Sequence, residues 1–514
     1  MASHTFITGS TGTGKSNAVY HLLDEITKNG QTTFLVVEPA KGEYKNVFGN
    51  CTDVQVFGTN PRETPLLRMN PFAFPENIHI LEHIDRLVEI FNACWPMYAA
   101  MPAVLKDAIE RSYQKVGWDL RNSESEKGVF PTFFDLLDIL PGVIEESHYS
   151  KDTQSDYVGA LCTRVKSLTN GIYGSVLCAE DALTDEALFD RNVIVDLSRV
   201  GSMETKSLLM GILVMKLQEY RMCSSGMNSR LRHVTVLEEA HNLLRKTSAE
   251  QSQEGANLQG KSVEMLANAI AEMRTYGEGF IIADQAPGLL DMSVIRNTNT
   301  KIILRLPDEE DRKLVGKSAA LKEAQIDELS KLPLGVAAVY QNEWPEAVLC
   351  KIEAYPMPEN AVYHKPSKMP HEINAEFVFG QLAVGKELEP LSSSEMEQLK
   401  LWLKRHETVL KPEDSRYLER VFAGGELDVA KTRKAVFDFF GGIGTVVDYC
   451  AAAEKSFTPR KEFLEQLQGQ YGLKAAAADW VLNSVISMGM SLNPDAKAVD
   501  NLRTNFERQG GRVL

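Results

Sequence analysis

A glycine-rich stretch near the start of the chain has the residue types and spacing of a phosphate-binding loop. Residues 9–16 read GSTGTGKS and match the pattern G-x-x-x-x-G-K-[ST]. Glycines let backbone N–H groups converge on phosphate oxygens, the lysine reaches the β and γ phosphates, and the serine hydroxyl holds Mg²⁺. The stretch therefore predicts a site for ATP and Mg²⁺. The residues that we assign to it are Gly9, Ser10, Thr11, Gly12, Thr13, Gly14, Lys15, Ser16 and Asn17.

Further polar side chains follow two apolar runs that the sequence predicts to be buried strands. Glu238 and Glu239 follow HVTVL, and Gln285 follows GFIIAD. Open α/β sheets place their ligands at the carboxyl ends of such strands. There one carboxylate can orient Mg²⁺ and its waters, the other can polarise an attacking water, and the amide can contact both that water and the γ-phosphate. These residues predict hydrolysis rather than binding alone.

Two arginines are candidates for stabilising the charge that develops on the γ-phosphoryl group. Arg274 lies in EMRTYGEG, just before the strand that leads to Gln285, and Arg305 lies in the strand KIILRL. Arg274 would act on the nucleotide of a neighbouring subunit, whereas Arg305 would act there or within its own chain. An ordinary ion pair explains either arginine equally well, so the residues alone leave both assignments open.

One pattern that looks like a metal site is rejected. His79, Glu82 and His83 fit H-x-x-E-H, which would place two imidazoles on one helical face. The sequence shows no accompanying motif for a third ligand, and the segment lies in a region of helical periodicity. We therefore do not predict zinc chemistry.

Short β-branched runs recur in the first part of the chain, and each is followed by a turn or a helical pattern. Apolar runs that alternate with helices are typical of an α/β fold whose parallel sheet is buried on both faces. The runs 335–341 and 346–352, separated by a polar turn, predict a closing antiparallel hairpin. The other predicted strands are 4–8, 32–37, 54–57, 193–197, 234–237, 280–283 and 301–306.

Changes in periodicity divide the chain into three predicted parts. The strands fall in residues 1–69 and 186–355, which we predict to form the α/β ATPase core. Helical periodicity over residues 70–185 predicts a helical insertion into that core. After a proline-rich connector, residues 371–514 show 3.6-residue spacing, which predicts a separate C-terminal helical domain.

Composition excludes several classes of protein. A net charge of −15 over 514 residues argues against a surface that coats nucleic acid everywhere, although it is compatible with a local basic lining inside a ring. The seven cysteines are odd in number and include no C-x-x-C pair, which argues against a disulfide framework. No apolar run reaches the roughly 18 residues of a membrane span, and the N-terminus has no signal-peptide pattern. We expect no membrane insertion and a cytoplasmic location.

Taken together, these motifs resemble the HerA/FtsK superfamily of ring ATPases. Within it the chain is most similar to HerA-like proteins, whose ATPase module is shared by conjugative VirB4 proteins. The similarity spans residues 4–355. It rests on the segments HTFITGSTGTGKSN, VVEPAKGEYK, LRMNPFAFPE, YQKVGWDL, VIVDLS, VTVLEEAHNLL, EMRTYGEGFIIADQAP and NTNTKIILRLPDEEDR.

The resemblance implies a RecA-like P-loop NTPase core that assembles into a hexamer, with ATP at the subunit boundaries and DNA in the central channel. Arg274 lies eleven residues before Gln285, the spacing at which related ring motors place an arginine that acts on the neighbouring subunit. The resemblance therefore ranks Arg274 above Arg305. The other implied roles are phosphate and Mg²⁺ binding for Lys15 and Ser16, metal assistance for Glu238, catalytic base for Glu239 and sensor for Gln285.

The chain departs from this family at two points. Glu238 stands where aspartate is common, and eight residues precede Gly9 where HerA proteins usually have a β-barrel that often docks a nuclease. The leading hypothesis is an ATP-dependent, ring-forming DNA translocase or helicase of HerA type. It would act with a nuclease or other effector in DNA processing or antiviral (anti-phage) defence. Two alternatives stay open: a VirB4-like ATPase for macromolecular transfer, and a nucleotide-bound oligomeric scaffold that activates a partner enzyme.

Overall fold

The structure, a computed structural model, divides the chain into two compact units, residues 1–365 and 366–514. Each unit has its own apolar core. The residues that the structure describes are 3–30, 32–98, 100–125, 128–179, 182–247, 258–357, 361–365, 416–418, 420–421, 428–440, 442–455, 458–471, 475–493, 495–509 and 511.

A nine-stranded sheet organises the first unit. Its strands are β1 (Thr5–Thr8), β2 (Thr33–Glu38), β3 (Val54–Gly58), β6 (Asn192–Asp196), β7 (His233–Glu238), β8 (Glu278–Asp284), β9 (Thr300–Ile303), β10 (Val336–Gln341) and β11 (Val348–Lys351). The spatial order is β11, β10, β9, β1, β8, β7, β2, β6, β3. All neighbours from β9 to β3 pair in parallel, whereas β10 and β11 pair antiparallel. Two further strands, β4 (Trp118–Asp119) and β5 (Glu124–Ser125), form a separate ribbon.

Helices cover both faces of the sheet because alternate residues of its strands are apolar on both sides. In β2, Leu35 and Val37 pack into one apolar cluster and Val36 packs into the other. The helices of this unit are α1 (Lys15–Asn29), α2 (Tyr44–Phe48), α3 (Ile80–Cys94), α4 (Met101–Lys115), α5 (Phe133–Glu146), α6 (Lys151–Tyr157), α7 (Thr163–Thr169), α8 (Gly171–Leu177), α9 (Asp185–Phe189), α10 (Met203–Ser224), α11 (Leu258–Glu272), α12 (Met292–Arg296), α13 (Glu309–Ser318) and α14 (Glu323–Glu328).

Helices α3 to α8 lie between β3 and β6 in the chain, and they share a core with the sheet. Phe91 of α3, Leu105 of α4 and Phe133 of α5 belong to the same apolar cluster as Leu213 of α10 and Leu35 of β2. The helix α10 is buried along most of its length because it lies in this cluster. The inserted helices are therefore an extension of one face of the α/β layer.

The second unit is helical in its described part. Its helices Val429–Phe439, Gly442–Lys455, Pro459–Tyr471, Ala475–Leu492 and Ala496–Arg508 enclose a separate apolar cluster. Residues 371–415 of the predicted helical domain lie outside the described residues. Among the described helices, none combines the length and the apolar character that a membrane crossing requires. The predicted fold class is confirmed: an α/β core on a mostly parallel sheet, with inserted helices and C-terminal helices.

Candidate functional site

Four neighbouring strands end at one cavity. β1, β8, β7 and β2 lie side by side and parallel, so their carboxyl ends meet at the same edge of the sheet. The glycine-rich loop follows β1, Gln285 follows β8 and Glu238 ends β7. The cavity has a volume of about 220 Å³. It is lined by Thr11, Gly12, Gly14, Lys15, Ser16, Asn17, Glu38, Ala40, Lys41, Tyr44, Glu238, Glu239 and Gln285.

The loop after β1 has a backbone that requires glycine at three positions. Gly12 and Gly14 have φ angles of 75° and 110°, a region that residues with a side chain rarely adopt. At Gly9 a Cβ atom would lie 2.7 Å from both Leu304 Cβ and Thr13 Oγ1. The loop can therefore curl with its backbone exposed to a ligand, as a phosphate cradle does.

Helix α1 begins at the end of this loop. Gly14 is its N-cap and supplies no side-chain hydrogen bond, so the first-turn N–H groups and the positive end of the helix dipole can serve an anion. Lys15 is buried, its Nζ donates to the Gly9 carbonyl at 2.7 Å, and burial lowers the pKa of its amine. Because a phosphate oxygen can replace that carbonyl as the lysine's acceptor, this donor set fits the phosphates of a nucleotide.

Glu238, the last residue of β7, is buried at the cavity wall. Burial raises its pKa to about 7, and the Tyr44 hydroxyl donates to its Oε1. Ser16 lines the same cavity. A hydroxyl and a carboxylate are oxygen donors of the kind that Mg²⁺ prefers, so this part of the cavity fits the predicted cation.

Glu239 follows the strand in an unusual backbone conformation. Its φ and ψ are 46° and 51°, in the left-handed region that non-glycine residues seldom occupy. Burial and the neighbouring Asp284 carboxylate raise the pKa of Glu239. Its Oε2 atom is buried and makes no hydrogen bond to any described residue. A carboxylate with a raised pKa and a free acceptor atom at a cavity wall has the properties of a general base.

Gln285 reaches the loop directly. Its Oε1 atom accepts a hydrogen bond of 2.8 Å from the Thr11 hydroxyl. Gln285 and Thr11 both line the cavity, so the structure brings the predicted sensor beside the predicted phosphate loop. A ligand that moves Thr11 would therefore also change the hydrogen bond of Gln285.

The two candidate arginines lie at different places relative to the cavity. Arg305 lies two residues after β9, beyond the end of the strand in which it was predicted. Its carbonyl accepts the Ser10 N–H at 2.9 Å, but its exposed side chain is not part of the cavity wall. Arg274 is exposed in a short helical turn, Met273–Tyr276, that precedes β8. It therefore lies at the opposite end of β8 from Gln285, outside the cavity of its own chain.

Asn17 lines the cavity, but its side chain also serves the chain itself. Its Nδ2 donates to the Glu353 carbonyl at 2.9 Å, and its Oδ1 accepts the Tyr355 N–H at 2.7 Å. The predicted contribution of Asn17 to nucleotide binding would therefore come from its backbone N–H, which lies in the first turn of α1.

The H-x-x-E-H residues do not form a metal site. His79 is the N-cap of α3, and its Nδ1 accepts the Leu81 N–H. His83 is buried and faces the Glu219 carboxylate, with Nδ1 3.0 Å from Oε2. The expectation that both imidazoles share one helical face is wrong, because His79 lies at the cap with a non-helical backbone. The rejection of zinc chemistry does not depend on that face.

Several cavity residues were missed by the sequence reasoning. Glu38 ends β2, accepts the N–H groups of Glu43 and Tyr44, and has a pKa raised by burial to about 8. Lys41 has a left-handed backbone with φ of 36°. These residues belong to the segment VVEPAKGEYK. Its polar residues lie at the end of a buried strand or just after it, which is the signal that identified Glu238 and Glu239.

The chain is similar in sequence to known HerA proteins. Residues 1–215 match the family described as the central domain of helicase HerA. The DNA double-strand break repair helicase HerA of Sulfolobus acidocaldarius is 25% identical over 370 residues, which cover 69% of this chain and 66% of that protein. The protein of the same name from Sulfurisphaera tokodaii is 22% identical over 359 residues, covering 69% and 66%. The similarity to these two relatives thus spans just under two thirds of their length.

Solved structures show the same fold. The structure of VirB4 of Thermoanaerobacter pseudethanolicus matches with a TM-score of 0.53 at 19% identity, covering 69% of this chain and 90% of that one. Plasmid coupling protein TrwB, in complex with the non-hydrolysable ATP analogue ADPNP, matches with a TM-score of 0.50 at 15% identity, covering 71% and 88%. The predicted resemblance to the HerA/FtsK superfamily is confirmed.

Proposed function

We propose that this HerA-like protein is an ATPase that couples hydrolysis to movement along, or unwinding of, duplex DNA. The observation that carries the proposal is the convergence of a phosphate loop, two glutamates and a glutamine on one cavity at the carboxyl edge of the sheet. Binding alone would need the loop, whereas hydrolysis also needs a base and a sensor. The names of the HerA relatives, DNA repair helicases, support DNA as the substrate on which the work is done.

The proposed roles follow from position and charge. Lys15 and the N–H groups of the loop and the first turn of α1 hold the triphosphate. Ser16 and Glu238 hold Mg²⁺, which when bound supplies positive charge that neutralises the phosphate oxygens. Glu239 accepts a proton from the attacking water, and Gln285 contacts that water and the γ-phosphate. Arg274 is the proposed residue that acts on a neighbouring subunit's nucleotide.

The proposed assembly is a homo-hexamer with DNA in its channel, working with a nuclease or another effector in DNA processing or antiviral defence. The net charge of −15 means that DNA binding would depend on a local basic lining. The same charge favours one competing function, a nucleotide-bound scaffold that activates a partner enzyme. The fold shared with VirB4 keeps a transfer ATPase as a further alternative.

An ATPase assay with and without duplex DNA tests the proposal. A motor should hydrolyse ATP faster when duplex DNA is added at low salt, because each step along DNA completes a turnover. Glu239→Gln should retain ATP binding and lose at least about a hundredfold in kcat, because the amide cannot accept the proton. Hydrolysis that ignores DNA would favour the scaffold, and a native rate in Glu239→Gln would disprove the role of the base.

A further inference from the structure

A pair of side chains beside Glu239 is not used by the roles proposed above. Asp284 is the last residue of β8 and is fully buried. His241 lies in the short helical turn Ala240–Asn242 that directly follows Glu239. These two residues, the His241–Asp284 pair, join the turn after β7 to the end of β8.

The hydrogen bonds of the pair define which nitrogen of the imidazole carries a hydrogen. Asp284 Oδ2 accepts the His241 backbone N–H at 2.8 Å and lies 2.9 Å from His241 Nδ1. Its Oδ1 accepts the Ala286 N–H at 2.9 Å. Because an ionised carboxylate can only accept, Nδ1 must be the donor and carry the hydrogen. The hydrogen bond that His241 donates to this carboxylate accordingly raises the pKa of His241.

The same imidazole nitrogen lies within ion-pair distance of Glu239 but does not hydrogen-bond to it. Nδ1 of His241 is 3.5 Å from Glu239 Oε2. This oxygen is buried and has no hydrogen-bond partner among the described residues. The Nδ1 hydrogen is thus directed to Asp284, and the acceptor atom of Glu239 stays free.

The turn that carries Glu239 is held from two sides. The Glu239 carbonyl accepts both the backbone N–H and the Nδ2 of Asn242, at 2.9 and 2.8 Å. Asp284 holds the next residue, His241, through its backbone N–H. A left-handed residue persists where its surroundings fix it, and here those surroundings include Asp284.

We propose, on the basis of the proposed ATPase function, that the His241–Asp284 pair positions Glu239 for hydrolysis. Asp284 accepts the Nδ1 hydrogen of His241, so the imidazole does not hydrogen-bond to the base although it lies within ion-pair distance of it. Because Asp284 also directly precedes Gln285, it fixes the base and the sensor relative to one another. Both residues are positioning residues, since neither lines the cavity.

The critical variant is Asp284→Asn, which keeps the shape of the side chain and one carbonyl oxygen, facing either the two His241 donors or the Ala286 N–H. It removes the charged acceptor for Nδ1, so the imidazole turns to the nearest remaining carboxylate, that of Glu239. The expected result, for the full chain with Mg²⁺ and ATP, is a fall in kcat of at least about tenfold, with KM changed by less than about threefold.

The double variant separates this role from a merely structural one. His241→Ala alone should lower kcat only a few fold, and His241→Asn, which keeps a donor near the Nδ1 position, should lower it less. Added to Asp284→Asn, His241→Ala should recover at least about threefold of the lost kcat, because the competing imidazole is gone. If the double variant is as slow as Asp284→Asn or slower, or if Asp284→Asn keeps the native kcat, the proposal is wrong.

A second measurement does not depend on the variants folding. In the ¹⁵N spectrum of labelled native protein, the assigned His241 ring should show a protonated Nδ1 at neutral pH. A neutral ring protonated only at Nε2 would overturn the proposal. Failure of the ATPase assignment would appear separately, as the absence of Mg²⁺-dependent ATP hydrolysis by the native protein.

Discussion

Single charged residues are buried at the opposite edge of the sheet as well as at the cavity. Glu278, the first residue of β8, is fully buried. Its carboxylate lies 2.8 Å from His233 Nδ1 and accepts from Thr235 Oγ1 at 2.8 Å and Arg221 Nε at 3.0 Å. Burial alone would raise the pKa of Glu278, but His233 and Arg221 outweigh it and lower that pKa. The carboxylate is therefore charged in the folded protein, and it shares the buried Arg221 with Asp190.

Glu278→Gln should destabilise the fold by about 1–3 kcal/mol, because the substitution removes the charged acceptor of Arg221 Nε, while Asp190 still pairs with the guanidinium at 2.7 Å. Urea unfolding at pH 7 measures this loss. The matched control is Glu328→Gln, which breaks an exposed pair with Lys331 (3.1 Å) and should leave the midpoint unchanged. An equal effect of the two substitutions would contradict the assigned role of Glu278.

The stability difference between the native protein and Glu278→Gln should also depend on pH, with a defined sign. A carboxylate whose folded-state pKa is lowered contributes stability above its ordinary pKa, and that contribution is lost as pH falls through the folded value. The difference in unfolding free energy between the native protein and Glu278→Gln should therefore narrow below a pH of about 4.

Residue types revealed the loop and the glutamates but not the whole site. The loop is visible because its glycines and lysine have fixed spacing, and Glu238, Glu239 and Gln285 each follow an apolar run. Asp284 is next to Gln285 in the chain, yet its importance depends on His241, 43 residues earlier, with which it pairs. Such a pairing needs the lateral order of β7 and β8, which one sequence does not contain.

At the scale of elements, asparagine side chains attach the segment after β11 to helix α1 and to the turn that follows α2. Asn17 of α1 bonds both Glu353 and Tyr355, as described above. Asn50 donates to the Val362 carbonyl at 2.9 Å and accepts the His364 N–H at 3.1 Å. Each amide uses its donor and its acceptor on a backbone, so residues 353–355 and 362–364 are held much as an added strand would be.

Asn17→Ala tests whether this side chain holds the backbone of Glu353 and Tyr355 or binds the nucleotide. Loss of two hydrogen bonds at a partly exposed site should lower the unfolding free energy by about 1–2 kcal/mol. The ATP dissociation constant should change by less than about threefold, because the backbone N–H of residue 17 remains. A large loss of ATP affinity at unchanged stability would instead show that the side chain acts on the nucleotide.

Element type was more predictable than element packing. Short β-branched runs identified the strands of the large sheet, including the hairpin of β10 and β11, and 3.6-residue spacing identified the inserted helices. The sharing of one core by α3, α10 and the sheet was not predictable, because periodicity shows that a face is apolar but not which surface it meets. The lateral strand order, with β8 between β1 and β7, depends on the same missing information.

At the scale of the whole molecule, the position of Arg274 decides how many chains a complete site needs. Arg274 precedes β8 and Gln285 follows it, and a seven-residue strand spans about 20 Å. Arg274 is therefore too far from the cavity of its own chain to contact a nucleotide there. If it acts in hydrolysis, it acts on a neighbouring chain.

Mixing inactive variants distinguishes action between chains from action within one chain. Lys15→Ala lacks the phosphate ligand and Arg274→Ala lacks the proposed neighbouring cation, so each protein alone should hydrolyse ATP slowly. In random mixed assemblies at a 1:1 ratio, about a quarter of the sites would combine Lys15 of one chain with Arg274 of its neighbour, and activity should recover accordingly.

The control is Arg305→Ala mixed with Lys15→Ala. Because the Arg305 carbonyl bonds the loop of its own chain, an Arg305 that acts there would give no recovery in any mixture. Recovery with Arg305→Ala but not with Arg274→Ala, in assemblies shown by mass to be mixed, would show that Arg305 and not Arg274 acts on the neighbouring chain.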